Sequence, residues 1–278
     1  MKIFHAIDSI GIVPRFYDIT KIKLNYLVSY HYLKGMAYDL TTRYRSIISS
    51  LYLDSGAYSV STGKSKINLS GFLKYIKRYG NLFDAVFTLD DAFDDSEHNL
   101  INQLYLEKGL PSSIRMPIPV VHDAEDPFGE LKMYAELGHD YIAIGSNKKL
   151  KDEVFEKIKE KYPNLKIHMF GNLDTKMLKK HKPYSADSAG YANKTKHGEI
   201  VFWDPEEEKE YKIYIGGRDR KSESPVHLSK FQHKKKVEDL LSNTFKLRVQ
   251  DLLTDVEANW MVNMYCFHQL ENFINNSK

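Results

Sequence analysis

Residues 118–171 read IPVVHDAEDPFGELKMYAELGHDYIAIGSNKKLKDEVFEKIKEKYPNLKIHMFG. Three short apolar runs stand in this stretch: Ile118-Pro119-Val120-Val121, Tyr141-Ile142-Ala143-Ile144 and Lys166-Ile167-His168-Met169-Phe170. Runs this short and this continuous predict strands buried on both faces, as in a parallel sheet. The segments between them carry a helical period. Residues 152–162 put Val154, Phe155 and Ile158 on one face, opposite Glu153, Lys157, Lys159, Glu160 and Lys161, and 128–137 forms a shorter helix of the same kind. Strand, helix and strand in this order predict right-handed βαβ units around a parallel sheet.

The alternation extends in both directions. Further strand-like runs lie at 26–30, 51–53 and 85–89, with a fainter one at Tyr184-Ser185-Ala186. Helical patterns fill 69–79, where Leu69, Phe72, Leu73 and Ile76 oppose Lys74, Lys77 and Arg78, and 175–181. No G-x-G-x-x-G turn follows any strand, which argues against an open doubly wound sheet. The expected fold is α/β, a closed (β/α)8 TIM-like barrel. Residues 199–216 (EIVFWDPEEEKEYKIYIG) alternate polar and apolar around an acidic turn and predict a β-hairpin insertion. Residues 228–241 and 256–274 predict helices that extend the C-terminus. The expected organisation is one domain, with the barrel and its hairpin over 1–222 and helices packed on it over 223–278.

Composition narrows the function classes. Of 278 residues 42% are hydrophobic and 28% charged, enough apolar side chain for a full core and too much for a disordered chain. Lys+Arg 40 against Asp+Glu 37 leaves +3, so bulk charge does not mark a nucleic-acid binder and the local distribution must carry that question. One cysteine, Cys266, excludes an internal disulfide and any multi-cysteine zinc site. No metal and no cofactor are expected. The opening residues are too quickly polar for a signal peptide and no run is long enough to span a bilayer. A soluble, cytoplasmic protein without a membrane partner is expected.

In a parallel barrel the residues that terminate the strands face the active site. Here the runs end in Asp54-Ser55-Gly56-Ala57-Tyr58, Asp90-Asp91, His122-Asp123, Gly145-Ser146-Asn147, Gly171-Asn172 and Asp187-Ser188-Ala189-Gly190. Each member also has an ordinary structural use: aspartate caps helices, glycine makes turns, and a single histidine is often a satisfied core residue. Asp54 and Asp187 fit capping less well, because a small-residue turn follows each. Together the strand ends favour an enzyme. Two carboxylates on one pocket suit chemistry at an anomeric carbon, where one attacks and the other handles the leaving group's proton. Glycoside hydrolysis and nucleoside base exchange both use that pair, and spacing does not choose between them.

Leu53-Asp54-Ser55-Gly56-Ala57-Tyr58 resembles the D-S-G-G-F signature of the tRNA-guanine transglycosylases, the queuine and archaeosine tRNA-ribosyltransferases. Thr88-Leu89-Asp90-Asp91 is similar to that family's next aspartate, and Val120-Val121-His122 stands where it has I-V-Q-G. Ile144-Gly145-Ser146 resembles its glycine-rich base-binding strand end and His168-Met169-Phe170-Gly171 its M-G-V-G. Tyr184-Ser185-Ala186-Asp187-Ser188 falls where the family has its nucleophilic aspartate. The resemblance covers roughly residues 26–192.

It implies that Asp187 attacks the ribose C1′ and that Asp54 is the general acid/base. Ser55, Gly56, Asp90, His122, Gly145, Ser146, Phe170 and Gly171 would form the base pocket, with Asp90 accepting hydrogen bonds from the base edge. The family's C-x-C-x-x-C zinc site is absent, Ala57 replaces its second glycine, and His122 replaces its glutamine. These departures are similar to a shorter, zinc-free branch, found in phages and mobile elements, that inserts 7-deazapurines into DNA. The implied partners are therefore DNA, or RNA, and a free purine or 7-deazapurine base. A homodimer or an accessory protein is a further expectation.

Lys148, Lys149 and Lys151, and Lys176, Lys179 and Lys180, follow the fifth and sixth of these runs and are candidate phosphate contacts; a solvated helix face is the plain alternative. The same alternatives hold for the clusters at 218–221 and 230–236. Tyr58, Tyr191 and Trp203 are placed to stack on a base or to serve as core. Two competing functions remain: a hydrolytic N-glycosylase or glycosidase using the same two aspartates, and a catalytically silent nucleic-acid-binding barrel.

Overall fold

The structure, a computed structural model, describes residues 1–33, 38–57, 67–145, 150–171, 173–216 and 225–277. Tyr58, Ser146, Lys148, Lys149 and the 218–221 cluster lie outside the described residues. The chain divides into two compact units, one of residues 1–10 and 25–187, the other of 11–24 and 188–278.

The first unit is a parallel barrel. Its strands are β1 (Lys2–Ile7), β2 (Asn25–Ser29), β3 (Ser50–Asp54), β4 (Ala85–Val86), β5 (Val120–Val121), β6 (Tyr141–Ile144), β7 (Lys166–Met169) and β8 (Ser185–Ser188). They lie side by side in the order β4-β3-β2-β1-β8-β7-β6-β5. A parallel bridge between Phe87 and Ile118 joins the two ends. There Thr88 N–H donates to the Ile118 carbonyl (3.0 Å) and Ile118 N–H to the Val86 carbonyl (2.8 Å), so the barrel closes. A helix follows each strand in the chain, including the expected helices Leu69–Tyr79, Phe128–Glu136, Asp152–Lys161 and Thr175–His181. The (β/α)8 fold is the one expected. β1 is an addition to it: KIFHAI opens on a lysine and carries a histidine mid-run, which disguises a strand whose Ile3, Phe4 and Ile7 are buried.

The barrel interior follows the two-residue period of the strands. Phe4, Leu27, Tyr52, Ala85, Phe87, Ile118, Val120 and Ala143 form one buried cluster, with Tyr141 and Phe170 packed against it. Phe4 stacks on Tyr52 at 3.9 Å between ring centroids. One step of two residues beyond Tyr52, Val120, Ala143, His168 and Ser185 lie Asp54, His122, Gly145, Phe170 and Asp187. The candidate site is thus the next layer of the inward-facing set, at the strand ends.

The second unit holds the helix Ile12–Thr20, the short helix Gly190–Thr195, the hairpin β9 (Glu199–Asp204) and β10 (Lys209–Tyr214), and the C-terminal helices Lys234–Leu240, Val249–Thr254 and Val256–Asn276. β9 and β10 pair antiparallel from Asp204↔Lys209 to Tyr214↔Glu199, as expected of residues 199–216. The hairpin belongs with these helices, so the compact boundary falls at 187/188 where the sequence suggested 222/223. Two buried asparagines explain this grouping. Asn263 Oδ1 accepts from Val201 N–H (2.7 Å) and its amide donates to the Tyr191 carbonyl (2.9 Å), while Asn259 Oδ1 accepts from Thr195 Oγ1 (2.8 Å). Among the described residues no helix is long and apolar enough to cross a membrane.

Candidate active site

β3 delivers Asp54 and then turns sharply. Asp54 Oδ2 accepts the Gly56 N–H (3.0 Å), an Asx turn that needs Gly56 at φ +93°. A Cβ there would lie 2.8 Å from Ser29 Oγ and from His31 Cβ, so the turn admits no side chain. The turn buries Ser55 completely and directs its hydroxyl to Asp90 Oδ1 (3.2 Å). Burial, with the nearby charges of Asp90 and Asp187, pushes the Asp54 carboxyl up to about 8. This favours its protonated form at neutral pH.

Asp90, buried, places Oδ2 2.9 Å from His122 Nε2. Burial disfavours charge on that imidazole, but the Asp90 contact and the charges of Asp90 and Glu130 outweigh it, so His122 holds its proton more tightly than a free histidine. The ring of Phe93 lies 4.6 Å from that of His122. Next to this pair opens a cavity of about 700 Å³ lined by Phe93, Asn99, His122, Glu130 and Met133, with Asp94, Asp123, Glu125 and Asp126 among its other walls. It carries no lysine or arginine, so a phosphate would be repelled there.

Gly145 ends β6. A Cβ on it would come within 3.2 Å of the Phe170 ring and 3.3 Å of Val120, so glycine lets the aromatic ring lie against the strand end. Gly171, at φ +62°, turns its N–H onto Asp187 Oδ1 (2.9 Å). Asp187 is buried, and its Oδ1 also lies 3.4 Å from His168 Nε2. Asp54, Ser55, Gly56, Asp90, His122, Gly145, Phe170, Gly171 and Asp187 therefore all sit at strand ends of the barrel unit, and Asp54 feels the charges of both Asp90 and Asp187. His168, Ser185, Tyr141 and Phe93 were not singled out from the sequence. The available signal was polar residues on the same two-residue period as Phe170 and Asp187.

The basic residues divide. Lys151 and Lys176 are exposed at or near the starts of the helices after β6 and β7. Lys180 is committed to an ion-pair network, 2.6 Å from Glu156 and 2.5 Å from Asp152, so it is not a free phosphate contact. Lys179 lies on the same helix, half-buried. In the second unit Lys234 and Lys235 pair with Glu238 and Asp239 as on a solvated helix face, while Lys236 pairs with the buried Asp204. Tyr191 and Trp203 are each 1% exposed and belong to the core, not to a stacking surface. Two carboxylate–histidine groups, Asp152/Glu156/His181 and Asp204/Glu207/His233, have metal-ligand composition. Lys180 and Lys236 already sit on their carboxylates, and both groups read as ion-pair networks.

No family model matches the chain, and no curated protein matches it. Among solved structures it is similar to a protein from Coccidioides immitis assigned as a fructose-1,6-biphosphate aldolase, with a TM-score of 0.53 and 12% identity over 98% of this chain and 91% of that one. An orotidine 5'-phosphate decarboxylase from Lactobacillus acidophilus aligns at a TM-score of 0.42 and 13% identity, over 67% of this chain and 89% of that one. The first of these is a likeness of fold, and function has to be argued from the site.

Proposed function

We propose that the protein is a base-exchanging glycosyltransferase. It would replace guanine in a nucleic acid, DNA in preference to tRNA, with a modified guanine of the 7-deaza type. The observation that carries this reading is the pair Asp54 and Asp187 at one barrel mouth: one carboxyl is pushed up to about 8, and the other is held by the Gly171 N–H. Such a division of two carboxylates into an acid and a nucleophile is what anomeric chemistry requires.

Asp187 attacks C1′ through a carboxylate oxygen, the C1′–N9 bond breaks, and its electron pair leaves with the base. The Asp54 carboxyl donates its proton to that base and becomes a carboxylate. An incoming base then gives its N9 proton to Asp54 and attacks C1′, which frees Asp187. Gly145 and Phe170 offer a flat, close surface to a purine. Asp90 accepts from its N–H groups, and the proton-retaining His122 donates to its carbonyl oxygen. The base must be extruded from a duplex or offered in a single strand. Exposed Lys151 and Lys176 are the described residues best suited to the flanking phosphates.

Incubation with radiolabelled guanine and either plasmid DNA or total tRNA tests the proposal. Exchange incorporates label into the polymer. Release of guanine without incorporation would favour the hydrolytic alternative, and binding without either would favour the silent barrel.

A further inference from the structure

Beneath Asp187 a chain of polar side chains runs through the otherwise apolar barrel. His168 is fully buried, with Nε2 3.4 Å from Asp187 Oδ1 and Nδ1 2.7 Å from Ser185 Oγ. Ser185 Oγ lies 2.6 Å from the Tyr141 hydroxyl, and that hydroxyl lies 3.4 Å from the Tyr52 hydroxyl. Rings enclose the imidazole: Phe87 at 4.7 Å, Phe170 at 4.6 Å, and Phe4 and Tyr52 at 6.3 Å. A polar group in such surroundings is costly unless it is hydrogen-bonded. The apolar residues typical of a barrel layer would be the cheaper choice.

A neutral imidazole carries one N–H, so the neutral ring has two tautomers here, each with its own order of hydroxyl protons. In one, His168 Nδ1–H donates to Ser185 and Nε2 turns a lone pair on the Asp187 carboxylate, which is repulsive. In the other, Ser185 donates to Nδ1 and Nε2–H donates to Asp187, and the single Tyr141 hydroxyl proton goes to Ser185 at 2.6 Å in place of Tyr52 at 3.4 Å. An ionised Asp187 selects the second order. Gly171 N–H donates to Oδ1, and His168 Nε2, which makes no hydrogen bond among the described residues, lies 3.4 Å from the same oxygen. Oδ2 has no hydrogen-bond partner among the described residues.

We infer that His168 is a positioning residue which, ordered by Ser185 and Tyr141, donates Nε2–H to Asp187 Oδ1 and so leaves Oδ2 as the attacking oxygen. The attacking role rests on the base-exchange reading. The proton order does not.

The two are tested separately. In protein labelled with ¹⁵N-histidine, the His168 ring is assigned from its proximity to the Phe87 and Phe170 rings. It should carry its proton on Nε2, with a bare, hydrogen-bond-accepting Nδ1. A proton on Nδ1 overturns the inference whatever the protein catalyses. In the labelled-guanine assay, His168→Phe keeps the ring and deletes both nitrogens. It should lower kcat by about tenfold or more with KM unchanged, and His168→Gln, which keeps one N–H donor, should recover part of the loss. An unchanged kcat, or a loss carried by KM alone, overturns the positioning role. If the wild type exchanges no base, the base-exchange reading falls and the NMR result still decides the proton order.

Discussion

Replacing Asp54 by asparagine should stabilise the protein at alkaline pH, and the size of the effect follows from the site. The carboxyl sits at about 8 in the folded chain against an ordinary 3.8, because burial and the charges of Asp90 and Asp187 oppose its ionisation. A group raised in this way adds most to stability below its unfolded value. Its contribution declines as pH rises from about 4 to about 8, because the folded state alone retains the proton. At about 1.4 kcal/mol per pH unit the ceiling is ~6 kcal/mol. Asp54 is only partly buried, and solvent and relaxation bring the expected difference nearer ~2–3 kcal/mol. Asparagine keeps an oxygen for the Gly56 N–H and carries no charge. Urea unfolding of both proteins at half-unit steps from pH 5 to 9 measures it. The wild type should lose stability relative to Asp54→Asn from pH 5 to about 8 and lose no more above it. Parallel curves would refute a raised Asp54, and with it the assignment of that side chain as the acid.

Gly56→Ala should cost about 3 kcal/mol in the same assay, since alanine is strained at φ +93° and its Cβ meets Ser29 and His31 at 2.8 Å. Asn263→Ala should cost about 2 kcal/mol, because Val201 N–H and the Tyr191 carbonyl lose a buried partner. For DNA binding, Lys151→Ala and Lys176→Ala should each flatten the log-log salt dependence by about 0.7–0.9 without changing which base is accepted. An unchanged slope would return both lysines to the solvated face.

Most of the barrel was legible because its strands are short, continuous and apolar, and because the two-residue period carries the inner face outward onto Asp54, His122, Gly145, Phe170 and Asp187. Helix Ser96–Gly109 was not legible. Its buried face includes Asn99, Asn102 and Gln103, which erases the amphipathic pattern. Their amide nitrogens donate to the carbonyls of Ala92, Leu89 and Pro117, partners that no sequence period reveals. Ile12–Thr20 was hidden by Pro14, which a first helical turn tolerates. The same limit applies to charge. Lys180 looks like its neighbours in sequence, and only the packing of two helices supplies Asp152 and Glu156. His168 sits within an apolar run and reads as core until Ser185 and Asp187 are brought beside it.

The covalent intermediate tests the central claim most directly. Wild-type protein is mixed with guanine-containing DNA, quenched in acid during turnover, digested with nuclease and protease, and analysed by peptide mass spectrometry. The peptide containing Asp187 should carry a deoxyribosyl adduct, which should disappear when excess free guanine is added before the quench. Label exchange with no adduct on Asp187, or an adduct on Asp54, would contradict the account.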